Sequence, residues 1–192
     1  YERALDIDID KDKGNATLNF NFSALLLSEG DFKEGFKRFK YRWGLPSFNS
    51  VKLKTPKPTW SGKQNQRVLL WAEQGLGDEI MFSSMINDLQ VKSSKLIVKV
   101  NRRLIGLFKR SFSSDIEFIE SYANVDEKLY DVHLPMGDLP EHFRQNKECF
   151  TAASKGYLSV DNSQYDHIKL EIAENNKKII GISWISKPEQ NI

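Results

Sequence analysis

The sequence predicts an α/β fold in which a short all-helical segment leads into a lobe built on a parallel, Rossmann-like sheet. Asn19, Phe22, Leu26, Gly30-Asp31, Phe32, Gly35 and Phe39 fall at the spacing of two helices joined at Gly30. From Arg67 to Phe82 the chain reads as a buried strand, a glycine turn and a helix. Beyond it, strand and helix patterns alternate, which favours a doubly wound parallel sheet with right-handed connections.

The organising stretch is R-V-L-L-W-A-E-Q-G-L-G-D-E-I-M-F, residues 67–82. Val68 to Trp71 is a short apolar run, and Gly75 and Gly77 allow a sharp turn with close backbone approach. Met81, Phe82, Met85, Ile86 and Leu89 then form a stripe at helical spacing. In an open parallel sheet such a loop lies at the carboxyl end of its strand, where these folds bind ligands. The pattern is G-x-G-D. It lacks the third glycine of a dinucleotide site and the lysine of a P-loop. Asp78 is expected to open the helix as its N-cap, or to act as a placed general base, two roles that do not exclude each other.

Further strands are expected over Lys95–Val100, Ile116–Ile119 and Asp131–Leu134, with Asn101 capping a helix that runs to Phe112. Residues 44–66 hold three of the six prolines and no sustained period, and read as a connector. The domain plan is therefore helices over 1–43, connector over 44–66 and parallel-sheet lobe over 67–162. Residues 163–192 are expected to form a linking helix and the first strand of a second lobe.

Composition narrows the function classes. With 28 basic and 26 acidic residues the net charge is +2, too balanced for a sustained nucleic-acid or lipid-binding field. A lone cysteine, Cys149, excludes an internal disulfide and a cysteine metal cluster, and no apolar run reaches membrane-spanning length. A cytoplasmic location is the default expectation. The alternating Asp6, Asp8, Asp10 and Asp12 do not share one helix face, so no metal site is expected. His142 and His167 have no partner spacing for zinc or a nucleophile triad.

Tyr1 to Ile9 resembles the end of a tetratricopeptide repeat's second helix, and the pair around Gly30 resembles the next repeat. So short an array must dock on the parallel-sheet lobe, and Phe32, Phe36 and Phe39 are its expected contacts. The stretch W-A-E-Q-G-L-G-D is similar to the first motif of tetratricopeptide-fused glycosyltransferases in the ADP-heptose:lipopolysaccharide heptosyltransferase superfamily, which have a two-lobed GT-B fold. Trp60-Ser61-Gly62 resembles that family's W-x-G, and Asp131 to Pro140 resembles its later strand and L-P loop. Lys178 to Pro188 resembles the start of its second lobe.

The resemblance implies transfer of a sugar from a nucleotide-sugar donor to a sugar, lipid or protein acceptor hydroxyl, with no metal or cofactor required. It places the base role on Asp78 and substrate binding on Gln74, Gly75, Gly77 and His133. It also implies an amino-terminal fragment, inactive in transfer because the donor pocket would be built beyond Ile192. The alternative is a tetratricopeptide-containing protein-binding module without catalysis, in which the Gly-Asp turn is purely structural. A nucleotide-binding oxidoreductase fits less well, for want of the third glycine and a ribose-binding carboxylate.

Overall fold

The computed structural model describes residues 15–150 and 156–173. These fall into two compact units divided between Ser159 and Val160. The expectations for Tyr1 to Ile9, for the alternating aspartates and for the second-lobe strand at Lys178 lie outside the described residues.

The first unit opens with the helical pair. Helix α1 (Ala16–Glu29) starts at Asn15, whose side-chain oxygen accepts from the backbone N–H groups of Thr17 and Leu18. It stops at Gly30, which takes the left-handed conformation (φ 86°) that glycine adopts without strain. Asp31 caps α2 (Phe32–Phe39) through the N–H of Glu34, and a 3-10 turn over Lys40–Gly44 continues it. The two helices cross closely at Gly35, where a methyl group would stand 2.7 Å from Leu27 Cδ2. Ser23 Oγ donates to the Gly35 carbonyl at 2.8 Å, and Arg38 reaches Asn19 Oδ1 at 2.7 Å.

Docking of this pair follows the predicted aromatics in part. Phe39 meets Phe82 of the lobe edge-on at 6.4 Å, and Phe32 packs on Phe150 at 4.8 Å. Phe36 stacks on Phe32 within α2. The polar half of the docking, which Arg42 makes, has no counterpart in the predicted contacts.

The lobe holds four parallel strands in the order β3-β2-β1-β4: β1 (Gln66–Trp71), β2 (Ser93–Val100), β3 (Glu117–Glu120) and β4 (Val132–Pro135). Helices α3 (Leu76–Ser83) and α4 (Ile86–Lys92) join β1 to β2, and α5 (Arg102–Ser111) joins β2 to β3. The chain winds from β1 outward to β3, then returns to the other side of β1 as β4. In open α/β sheets such a reversal marks the crevice above the carboxyl ends of the adjoining strands, which here are β1 and β4.

The apolar stripe predicted as one helix is broken at Ser84-Met85, where Ser84 Oγ bonds back to the Met81 carbonyl at 2.8 Å. Phe82, Met85, Ile86 and Leu89 are buried as the spacing implies. Met81 is 54% exposed and drops out of the core.

Alternation divides the strands cleanly. Val68, Leu70, Leu96, Val98, Val132 and Leu134 face α3, α4, α5 and the short α6 (Leu139–Phe143) in one continuous core. Leu69 and Ile97 face the other way, under Leu53 of the connector, Val125 and Tyr130. On that same face Trp43, from the 3-10 turn after α2, meets Trp71 at 5.7 Å.

The connector also runs along the outer edge of β4. The N–H of His133 donates to Pro58, and the N–H of Trp60 donates to the carbonyl of His133 at 2.8 Å. Trp60 is then buried against Phe143 and His142, its indole N–H bonded to the Lys63 carbonyl. In the second unit, α7 (Asn162–Ala173) begins where the linking helix was expected, with Asp161 accepting from the Ser163 N–H at 3.1 Å. No described helix is long and apolar enough to cross a membrane.

Candidate functional site

Two loops border the crevice: residues 72–75 after β1, and the 3-10 turn Met136–Asp138 after β4. The first leads into α3, whose N-cap is Gly75 in extended conformation with no side-chain cap. Asp78 therefore sits inside the first turn, three positions past the cap, which corrects its expected place as the capping residue. The two glycines set the geometry: Gly75 and Gly77 are both exposed, so the start of α3 is bare backbone.

Three acids crowd the segment Glu73–Glu79, and two are committed to structure. Glu73 is buried and bonded to Arg42. Glu79 is 4% exposed and accepts the Asn101 N–H at 2.8 Å, tying α3 to the end of β2. Asp78 is half-buried and makes no hydrogen bond or ion pair with the described residues. Its Oδ2 folds back toward the helix start, 3.7 Å from where a methyl group on Gly75 would lie. Beside it, Gln74 buries its side-chain Oε1 without a hydrogen-bond partner among the described residues. Buried acceptors of this kind are rare in native structures.

His133 is placed elsewhere. It pairs with Leu69 across β1 and β4, so its side chain lies on the face opposite α3 and Asp78. Its Nδ1 accepts from the Trp71 indole at 3.1 Å, and burial holds its pKa below the ordinary histidine value, against an upward pull from Asp138. His133 thus lies on the other side of the sheet from α3, and no hydrogen bond joins its side chain to Gln74, Gly75, Gly77 or Asp78 among the described residues.

The residues that frame the crevice were not singled out in the sequence. Arg42, from the 3-10 turn after α2, is fully buried. Its Nε and Nη2 donate to the two carboxylate oxygens of Glu73 at 2.8 and 2.9 Å, and Nη2 also lies 2.7 Å from Asp138 Oδ1. The guanidinium is flanked by the rings of Phe39 and Trp43 at 4.8 and 5.2 Å. The backbone of Gly137 faces Glu73 as well and favours its charged form. Burial pushes the Glu73 carboxyl above its ordinary pKa, against the pull of Arg42. The fork geometry, with both oxygens accepting, is that of an ionised carboxylate.

Lys99 also escapes the sequence patterns. It lies on the second sheet face opposite Trp71, is 9% exposed, and has no acid partner among the described residues, so burial alone lowers its pKa. No group of three or more metal-binding side chains forms among the described residues.

No protein-family model matches the chain, and no solved structure matches it. Among curated proteins, it is similar to the protein FlbA of Caulobacter vibrioides, with 32% identity over 187 residues. That alignment takes in 85% of this chain but 30% of FlbA, so the chain spans less than a third of the relative's length.

Proposed function

We propose that the chain is the helical and acceptor-side part of a tetratricopeptide-fused GT-B glycosyltransferase similar to the heptosyltransferase superfamily, with Asp78 as its general base. One observation carries this reading. Of the three acids in the segment Glu73–Glu79, Asp78 alone has no side-chain partner among the described residues, at the open start of a helix where the sheet winding reverses.

In this mechanism the Asp78 carboxylate accepts the proton of an acceptor hydroxyl as its oxygen attacks the anomeric carbon of the donor sugar. The bond from that carbon to the nucleoside diphosphate breaks, and the diphosphate leaves with the electron pair. A carboxylate within hydrogen-bond reach of the hydroxyl suits this step. Gln74 supplies an acceptor for a second hydroxyl, which would satisfy its orphaned oxygen. Gly75 and Gly77 let the substrate approach the backbone, and His133 is left to the fold of β4. Donor binding falls to a second lobe in the full-length protein.

Asp78→Asn in the full-length protein tests this directly. Because Gly75 rather than Asp78 is the cap, the Asn variant should lose only about 0.3 to 1 kcal/mol of charge-dipole stabilisation. Turnover of a nucleotide sugar should fall about 10²- to 10⁴-fold. Transfer at the unmutated rate would remove Asp78 from the chemistry.

A further inference from the structure

We infer that Arg42 is a positioning residue for the crevice, which makes the helical segment a working part of the site rather than a detachable appendage. One guanidinium grips both loops: Glu73 on the β1 side through two hydrogen bonds, and Asp138 on the β4 side at 2.7 Å. Two carboxylates face a single buried cation, and Asp138 itself pushes the Glu73 pKa upward, so the loops repel each other wherever Arg42 is absent. The contact is tight. A methyl group at Gly137 would collide with Glu73 Oε1 and stand 3.0 Å from Arg42 Nη2.

What Arg42 fixes bears on the site by chain geometry. Glu73 lies two residues before the Gly75 cap and five before Asp78, and Asp138 immediately precedes α6. Holding Glu73 holds the bare start of α3, and with it the direction of the Asp78 carboxylate. Lysine cannot replace this fork, because its ammonium is a point donor. The catalytic consequence rests on the transferase reading; the coupling of the two loops does not.

Two measurements separate them. In the 192-residue chain, backbone hydrogen exchange in Arg42→Lys should quicken about tenfold or more at residues 73–79 and 136–139 together, while β2 and α5 stay protected. Arg67→Met, which removes the half-exposed ion pair to Asp131, should leave both loops as they were. Loops unchanged in folded Arg42→Lys, or exchange rising equally everywhere, would overturn the proposal. In the full-length protein, Arg42→Lys should lower turnover several-fold with the donor KM unchanged; a rise in donor KM with turnover intact would contradict a positioning role. A full-length protein that transfers no sugar would defeat the transferase reading and leave the exchange result standing.

Discussion

The indole N–H of Trp71 donates to Nδ1 of His133 at 3.1 Å across adjacent parallel strands. An indole nitrogen only donates, so His133 must be neutral there, with its proton on Nε2. Protonation would break the bond as well as charge a partly buried ring. In a histidine titration followed by NMR, His133 should therefore titrate below the ordinary value of 6.5, and Trp71→Phe should raise it. For a base whose folded pKa is depressed, the unfolded chain binds more protons, so stability is present above pH 6.5 and is lost as pH falls through the folded pKa. A His133 that titrates at or above 6.5 in the unmutated chain would contradict this account.

Gly137→Ala tests how closely the crevice loops are packed. The added methyl meets Glu73 and Arg42, neither of which has room to withdraw, so a cost of about 1 to 3 kcal/mol is expected. Gly77→Ala, whose methyl would meet nothing within 4 Å, serves as the comparison. Urea unfolding of the two variants should separate them clearly; equal midpoints would mean that the loops relax freely.

Acid unfolding should report on the edge of the sheet. Asp131 accepts hydrogen bonds from the Arg67 side chain and from its backbone N–H, which lowers its pKa to about 2. A depressed carboxyl stabilises the fold above its unfolded pKa, and that stability is lost as pH falls through the folded value. Asp131→Asn should therefore be less stable than the unmutated chain at about pH 6, and the gap should close between about pH 4 and pH 2. A gap that stays constant across that window would assign the effect to packing.

Lys99 gives the opposite design. Its ammonium is desolvated without an acid to compensate among the described residues, so its folded pKa lies below 10.5. The unfolded chain then binds more protons between the two values, and stability rises with pH in that window. Lys99→Met should raise the melting temperature at about pH 7, with the advantage shrinking toward pH 10.5. No gain at neutral pH would show that the lysine finds adequate hydration.

The strands were legible because they are short, strongly apolar runs: Val68 to Trp71 and Leu96 to Val100 mark buried strands without help from the rest of the chain. Asn101 and Gly30 mark helix ends for the same local reason. The break at Ser84-Met85 was not legible, since Phe82, Met85, Ile86 and Leu89 keep helical spacing across it. Asp78 reads as a cap by residue type, but Gly75, three residues earlier, takes the extended capping conformation. Arg42 follows no period at all. A buried ion pair between residues 31 apart leaves no local trace, and the available hint was an arginine set between aromatics, with acids at two strand ends.

The connector has a consequence for how the lobe behaves in company. Because Pro58 to Trp60 takes up the outer N–H and C=O of His133, the connector lines that rim of β4, and Pro56 and Pro58 have no N–H to offer a visiting strand. At the opposite rim β3 is four residues long, begins and ends in glutamate, and carries ion pairs from Glu117 to Lys95 and from Glu120 to Arg102. A short charged rim and a proline-lined one both discourage edge-to-edge recruitment. The four-stranded sheet is thereby protected from aggregation by its own borders.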